Sequence, residues 1–102
     1  MNKREAEKLE RELFRAMEKV IERGYYPRRD VMEQDGGCCA IGAWRIMKHG
    51  SICLDENVTP CDDALPTDVW HGITYGFDGE MISESIDPEA YAIGKRLAKH
   101  YL

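Results

Sequence analysis

The stretch from Cys38 to His49, CCAIGAWRIMKH, leaves the chain few ways to fold. Cys38, Cys39, Ala40, Ile41, Gly42, Ala43, Trp44, Ile46 and Met47 are all apolar or small. A helix that is apolar nearly all round keeps no face for water and has to lie inside the protein. Lys48 and His49 suit the negative end of such a helix, and Gly50 suits the position after it. This predicts a central helix over 39–49. Gly42 lowers helix propensity there, which points to a close helix crossing. Arg45 has to reach solvent or pair with a carboxylate.

A buried helix needs cover, and amphipathic patterns on either side supply it. In residues 2–23, Ala6, Leu9, Leu13, Phe14, Met17, Val20 and Ile21 recur mostly at three- and four-residue steps. Asn2 and Glu5 have the spacing of a capping box, Glu7 and Arg11 that of a helix ion pair, and Gly24 suits a helix stop. At the other end Asp87 caps, Pro88 fills the first turn and Glu89 faces the positive dipole end. Ala90, Tyr91, Gly94, Leu97, Ala98 and Tyr101 form the apolar face of this last helix, 87–101.

The connections are less regular. Pro27 and the Asp35-Gly36-Gly37 run predict a loop over 25–37, which Val31 and Met32 could anchor. Residues 51–66 read as an irregular connection with a brief extended piece at Ile52, Cys53 and Leu54. In 67–86, Thr67 is expected to cap a short helix through Val69, Trp70 and Ile73. Gly72, Gly76 and Gly79 then interrupt it, giving a bent helix or a hairpin around Asp78-Gly79. The expected fold is mainly α. It is a small single-domain helical bundle over 1–102 with a buried central helix, and any short β-hairpin or extended pieces fall within 51–86.

The chain carries a formal net charge of -5. Affinity for nucleic-acid phosphate rests on clustered Lys and Arg, so free nucleic acid is disfavoured as a partner. Arg28-Arg29 and Lys95-Arg96-Lys99 are too small to reverse that balance. No run reaches the roughly 18 apolar residues of a membrane span, and no membrane partner is expected. The N-terminus leads into a charged helix rather than a signal core, so a cytoplasmic location is expected.

Without a secretory signal, Cys38, Cys39, Cys53 and Cys61 are expected to be free thiols acting as small hydrophobes. Two chemical alternatives compete with that. Cys38 and Cys39 lie at a predicted helix N-terminus behind two glycines, where backbone N–H groups lower a thiol pKa, and His71 or His49 could serve as base. Together with Cys53, Cys61, His49 and His71 they could also ligate zinc. Only His49 and Cys53 have the close spacing of structural zinc ligands, and no second pair completes a site. The acidic residues Asp55, Glu56, Asp62 and Asp63, with Glu33 and Asp35, do not follow the twelve-position calcium loop. The two glycines lack the Lys-Ser/Thr pair of a phosphate loop. No metal and no cofactor are expected.

CCAIGA with LPTDVW downstream resembles a loose group of small bacterial and phage proteins. These carry a Cys-Cys-x-x-Gly helix, a Leu-Pro-x-x-Val segment and a short final helix. Cys38, Cys39, Gly42, Leu65, Pro66 and Val69 carry the match, over about residues 36–100. The Asn-Asp pair usual before the last helix is missing here, and GFDG stands nearby instead. The glycine-aromatic pattern from Gly72 to Gly94 also resembles ribosome modulation factor, a strongly basic family unlike this acidic chain. Neither resemblance supplies an activity; the first implies a phage-type accessory protein.

The resulting expectation is a small acidic factor, more a binder than an enzyme, that recognises another protein. As a phage-type accessory or anti-defence inhibitor it would act on a host protein. Its expected contact residues are Asp55, Glu56, Asp62 and Asp63 with the aromatics Trp70, Tyr75 and Phe77. The alternative is a small cysteine-dependent enzyme or zinc-binding protein centred on Cys38 and Cys39, with His71 as base.

Overall fold

A computed structural model describes residues 1–30, 33–49 and 65–102. The segment 51–64, with its expected extended piece and acidic loop, lies outside the described residues, as do Val31, Met32 and Gly50.

Helix α1 runs Lys3–Glu22. Asn2 caps it: Oδ1 accepts from the Glu5 N–H at 2.8 Å, and Asn2 Nδ2 donates to Glu5 Oε1 at 2.6 Å. Ala6, Leu9, Leu13, Ala16, Met17 and Val20 are buried on one face. Ile21 is 39% exposed, because one residue beyond Val20 turns it about 100° off that face. Glu7 and Arg11 are both exposed, and the helix uses other carboxylates for its cross-links. Glu10 accepts from Arg96 Nε at 2.7 Å, and Glu12 lies 3.9 Å from Lys48 Nζ. Gly24 ends the helix at φ +98°.

The region read as a loop holds a small sheet of three two-residue strands, β1 (Tyr26–Pro27), β2 (Glu33–Gln34) and β3 (Gly37–Cys38), in the order β1-β3-β2. Strand β1 runs parallel to β3, pairing Tyr26 with Gly37 and Pro27 with Cys38. Strand β2 is antiparallel to β3 across Asp35-Gly36, both at positive φ as a two-residue hairpin turn requires. Gly37 has no room for a side chain: a Cβ would sit 2.8 Å from atoms of Tyr26 and Arg28.

Strand β3 leads directly into α2 (Ala40–His49), the expected central helix. Every residue from Ala40 to Ile46 is buried, Arg45 included at 6% exposure. Helix α2 packs mainly on α1, and α3 (Thr67–Asp78) mainly on α4 (Pro88–Tyr101). Val69, Ile73 and Phe77 of α3 meet Ala90, Ile93 and Leu97 of α4 in the same core as α1 and α2. The architecture is thus the expected mainly helical bundle around a buried helix. No helix among the described residues is long and apolar enough to cross a membrane.

Two expectations for 67–86 are corrected. Pro66, not Thr67, holds the N-cap position of α3, without a side-chain cap. No hairpin forms at Asp78-Gly79; Gly79, at φ +78°, closes α3 in the left-handed conformation. Gly72 and Gly76 lie within the helix because α4 crosses there. A Cβ on Gly72 would come within 2.9 Å of the Ala90 and Ile86 side chains. One on Gly76 would collide with the Tyr91 carbonyl oxygen, and one on Gly94 with that of Ile73.

Asp87 holds two ends of the bundle together. Its Oδ1 accepts from the Ala90 N–H at 3.0 Å, capping α4, while Oδ2 accepts from the Met1 ammonium at 2.6 Å. Burial pushes the Asp87 carboxyl up, but the bonds from Met1 and Ala90 outweigh it and hold the carboxyl below its usual range. The Met1 ammonium is raised in turn, chiefly by its hydrogen bond to Asp87.

Candidate functional site

The residues expected to act fall into three places. Asp55, Glu56, Asp62 and Asp63 lie outside the described residues, together with Cys53 and Cys61. Cys38 and Cys39 lie in the core. Trp70, His71 and Tyr75 share the half-buried side of α3.

Phe77 is a correction. It was expected at a contact surface but is fully buried. Its place follows from spacing: Val69, Ile73 and Phe77 stand four residues apart and form the inward stripe of α3.

Cys38 is fully enclosed in β3 and Cys39 is 3% exposed. Cys39 is the residue before α2, and its thiol serves as the cap. The Sγ accepts from the Gly42 N–H at 3.4 Å, and its carbonyl accepts from the Ala43 N–H at 2.9 Å. Burial pushes the Cys39 thiol up, overriding the lowering effect of the Gly42 N–H. A nucleophilic cysteine needs the opposite balance, a thiolate favoured at a solvent-reachable helix end.

On α3 the rings form a chain. Trp70 and His71 stand edge to face with centroids 3.9 Å apart, and His71 lies parallel to Tyr75 at 6.1 Å. Trp70 Nε1 and Thr74 Oγ1 are both withdrawn from water and find no hydrogen-bond partner among the described residues. Trp70 and Thr74 are one helical turn apart, so the two unmet groups lie on one side of α3. Each such group costs about 1–3 kcal/mol when left unsatisfied. Thr74 was not singled out in the sequence, though its position four residues after Trp70 would have placed it beside the indole.

Nothing matches this chain among protein-family models, curated proteins or solved structures. The site therefore rests on its own geometry.

An acidic group also goes beyond the sequence reading. Asp30, Asp78 and Glu80 bring carboxylate oxygens within 4.8 Å of one another. Asp30 reaches it through a left-handed backbone (φ +68°), donating its N–H to Asp78 Oδ1 at 3.0 Å. Burial raises the Asp78 carboxyl, and the charges of Asp30 and Glu80 add to the rise against the Asp30 N–H and Arg29.

Proposed function

We propose that the protein is a non-catalytic binding factor that recognises another protein, in the manner of a phage-type accessory or anti-defence inhibitor. The contact surface is the α3 side bearing Trp70, His71, Thr74 and Tyr75, with the acidic residues Asp55, Glu56, Asp62 and Asp63 as its charged complement.

One observation carries the reading: an indole N–H and a hydroxyl without a partner among the described residues sit beside a row of half-buried rings. Tyr and Trp are enriched at interfaces because they bring a large apolar body and one polar handle. A partner's carbonyl or carboxylate oxygens could take up both donors, after a side-chain rotation that brings them to the surface. The acidic composition favours a partner with a basic surface.

The test is affinity capture with quantitative mass spectrometry. Wild type is compared with a Trp70→Ala/Tyr75→Ala variant and an Asp62→Lys/Asp63→Lys variant, each checked by circular dichroism to be folded at the capture temperature. A protein retained by wild type and lost from both variants supports the reading. Identical capture profiles for all three overturn it.

A further inference from the structure

Glu12, Arg15 and Ala16 of α1 and Trp44, Met47 and Lys48 of α2 line an open cavity of about 290 Å³. Trp44 is only 4% exposed, yet a cation reaches its ring from this side. The Lys48 ammonium stands over the ring, 5.4 Å from the centroid. The same ammonium lies 3.9 Å from Glu12 Oε2. An aromatic ring and a carboxylate that converge on one ammonium define a seat for a cation.

Lys48 fills that seat poorly. At 3.9 Å its ammonium is beyond hydrogen-bond reach of Glu12. The Glu12 carboxylate accepts no hydrogen bond among the described residues. Both side chains stay wet, Lys48 at 49% and Glu12 at 37% exposure. A pair this open contributes little, so Lys48 can swing into solvent at small cost. The walls it would leave, Ala16, Met47 and the indole, are apolar. They suit a weakly hydrated guanidinium better than an ammonium. Arg15 also lines the cavity. Exchange of Lys48 for one incoming cation therefore leaves the local charge as it was, and a second cation would be repelled.

We infer that this cavity seats one arginine side chain of a protein partner. Its guanidinium displaces the Lys48 ammonium, lies against Trp44 and donates two parallel hydrogen bonds to Glu12. Charge complementarity points to that occupant. The chain has a net charge of -5. Glu12 also borders a second cavity along α1, where Glu5, Glu12 and Asp68 outnumber Lys8. The choice of occupant rests on the protein-binding reading above, but the seat is separate from the α3 surface.

The chain has two tryptophans, so a Trp70→Phe background leaves Trp44 as the sole fluorescent indole. Acetyl-Gly-Arg-Gly amide titrated into this protein at constant ionic strength should change Trp44 emission saturably. The citrulline peptide, of the same shape without the charge, should not. Lys48→Ala should lower Kd about two- to fivefold, since the displaced pair is weak. Glu12→Gln should raise Kd about tenfold or more through loss of the charged acceptor. Glu7→Gln, the same charge loss at an exposed position of α1, should leave it unchanged. Circular dichroism should be unaltered in both Gln variants. No saturable change, equal binding of the citrulline peptide, equal effects of Glu12→Gln and Glu7→Gln, or a Kd that does not fall on removing Lys48 would each overturn the inference. Such a failure beside partner capture that still depends on Trp70 and Tyr75 would remove the arginine seat alone.

Discussion

Gly76 lies against Gly94 where α3 crosses α4: a Cβ built on Gly76 would stand 3.2 Å from the Gly94 carbonyl carbon and would run into the Tyr91 carbonyl oxygen. Backbone meets backbone here, so no side chain can rotate away. Gly76→Ala and Gly94→Ala should each lower stability by about 3 kcal/mol, the upper end of overpacking effects. Gly79→Ala meets nothing closer than 3.8 Å and should lose only the about 1–2 kcal/mol of a left-handed residue. Urea unfolding of the three variants checks the order. A Gly76→Ala protein as stable as wild type would mean that the helices stand further apart.

Phe77 and Trp70 should separate stability from recognition. Phe77→Ala empties a fully buried site and should cost about 3–5 kcal/mol. Trp70→Ala removes a half-buried ring with an unmet N–H, so the stability loss should be smaller and the loss of partner capture larger. Equal unfolding midpoints for the two variants would contradict this division.

The buried thiols should be slow. In a Cys53→Ser/Cys61→Ser background, only Cys38 and Cys39 remain to react with a thiol reagent. Their modification should track global unfolding and accelerate with denaturant. Cys39→Ala should cost about 1 kcal/mol through the lost cap, and Cys39→Ser should recover most of it. One thiol that reacts at once in the native protein would revive a nucleophilic role for this pair.

The joint between Met1 and Asp87 sets a pH window. The Asp87 carboxyl is depressed in the folded state, so its stabilising effect is present above the ordinary 3.8 and is lost as pH falls toward the folded value. The Met1 ammonium is raised, so its effect is complete below the ordinary 8.0 and is lost as pH rises through the folded value. Cys39 adds a loss above its ordinary 9.0, because the unfolded thiol ionises first. The stability difference between wild type and Asp87→Asn cancels the Cys39 effect. It should be level between about pH 5 and 7 and shrink on both sides. A difference that does not change with pH would remove the joint from the account.

Helices α1, α2 and α4 could be read from the sequence because Asn2, Asp87, Pro88 and the apolar spacings all report locally. Helix α3 could not be read in full. Gly72 and Gly76 look like interruptions until another helix is known to pass within contact distance, and that is a long-range fact. Phe77 continues the four-residue step of Val69 and Ile73, but Gly76 directly before it reads as a helix break and hides that step. The sheet was missed because strands of two residues have no periodicity, and only the Asp35-Gly36 turn showed. Of the candidate site, Trp70 and Tyr75 were legible as aromatics, but the unmet donors on Trp70 and Thr74 depend on what surrounds them. Arg28-Arg29 was visible as a charge pair, and only the long-range bond to the Phe77 carbonyl gives Arg29 a direction.

The seam between α3 and α4 also bears on ancestry. Cys38 and Cys39 fill space that other small apolar residues could fill, so a cysteine pair is a poor marker of descent. Glycine at 76 and 94 is imposed by contact with the opposite backbone, and no substitution elsewhere can relieve one without moving a helix. A distant cousin that keeps this architecture should therefore preserve the interval between those two glycines even where every cysteine has been replaced.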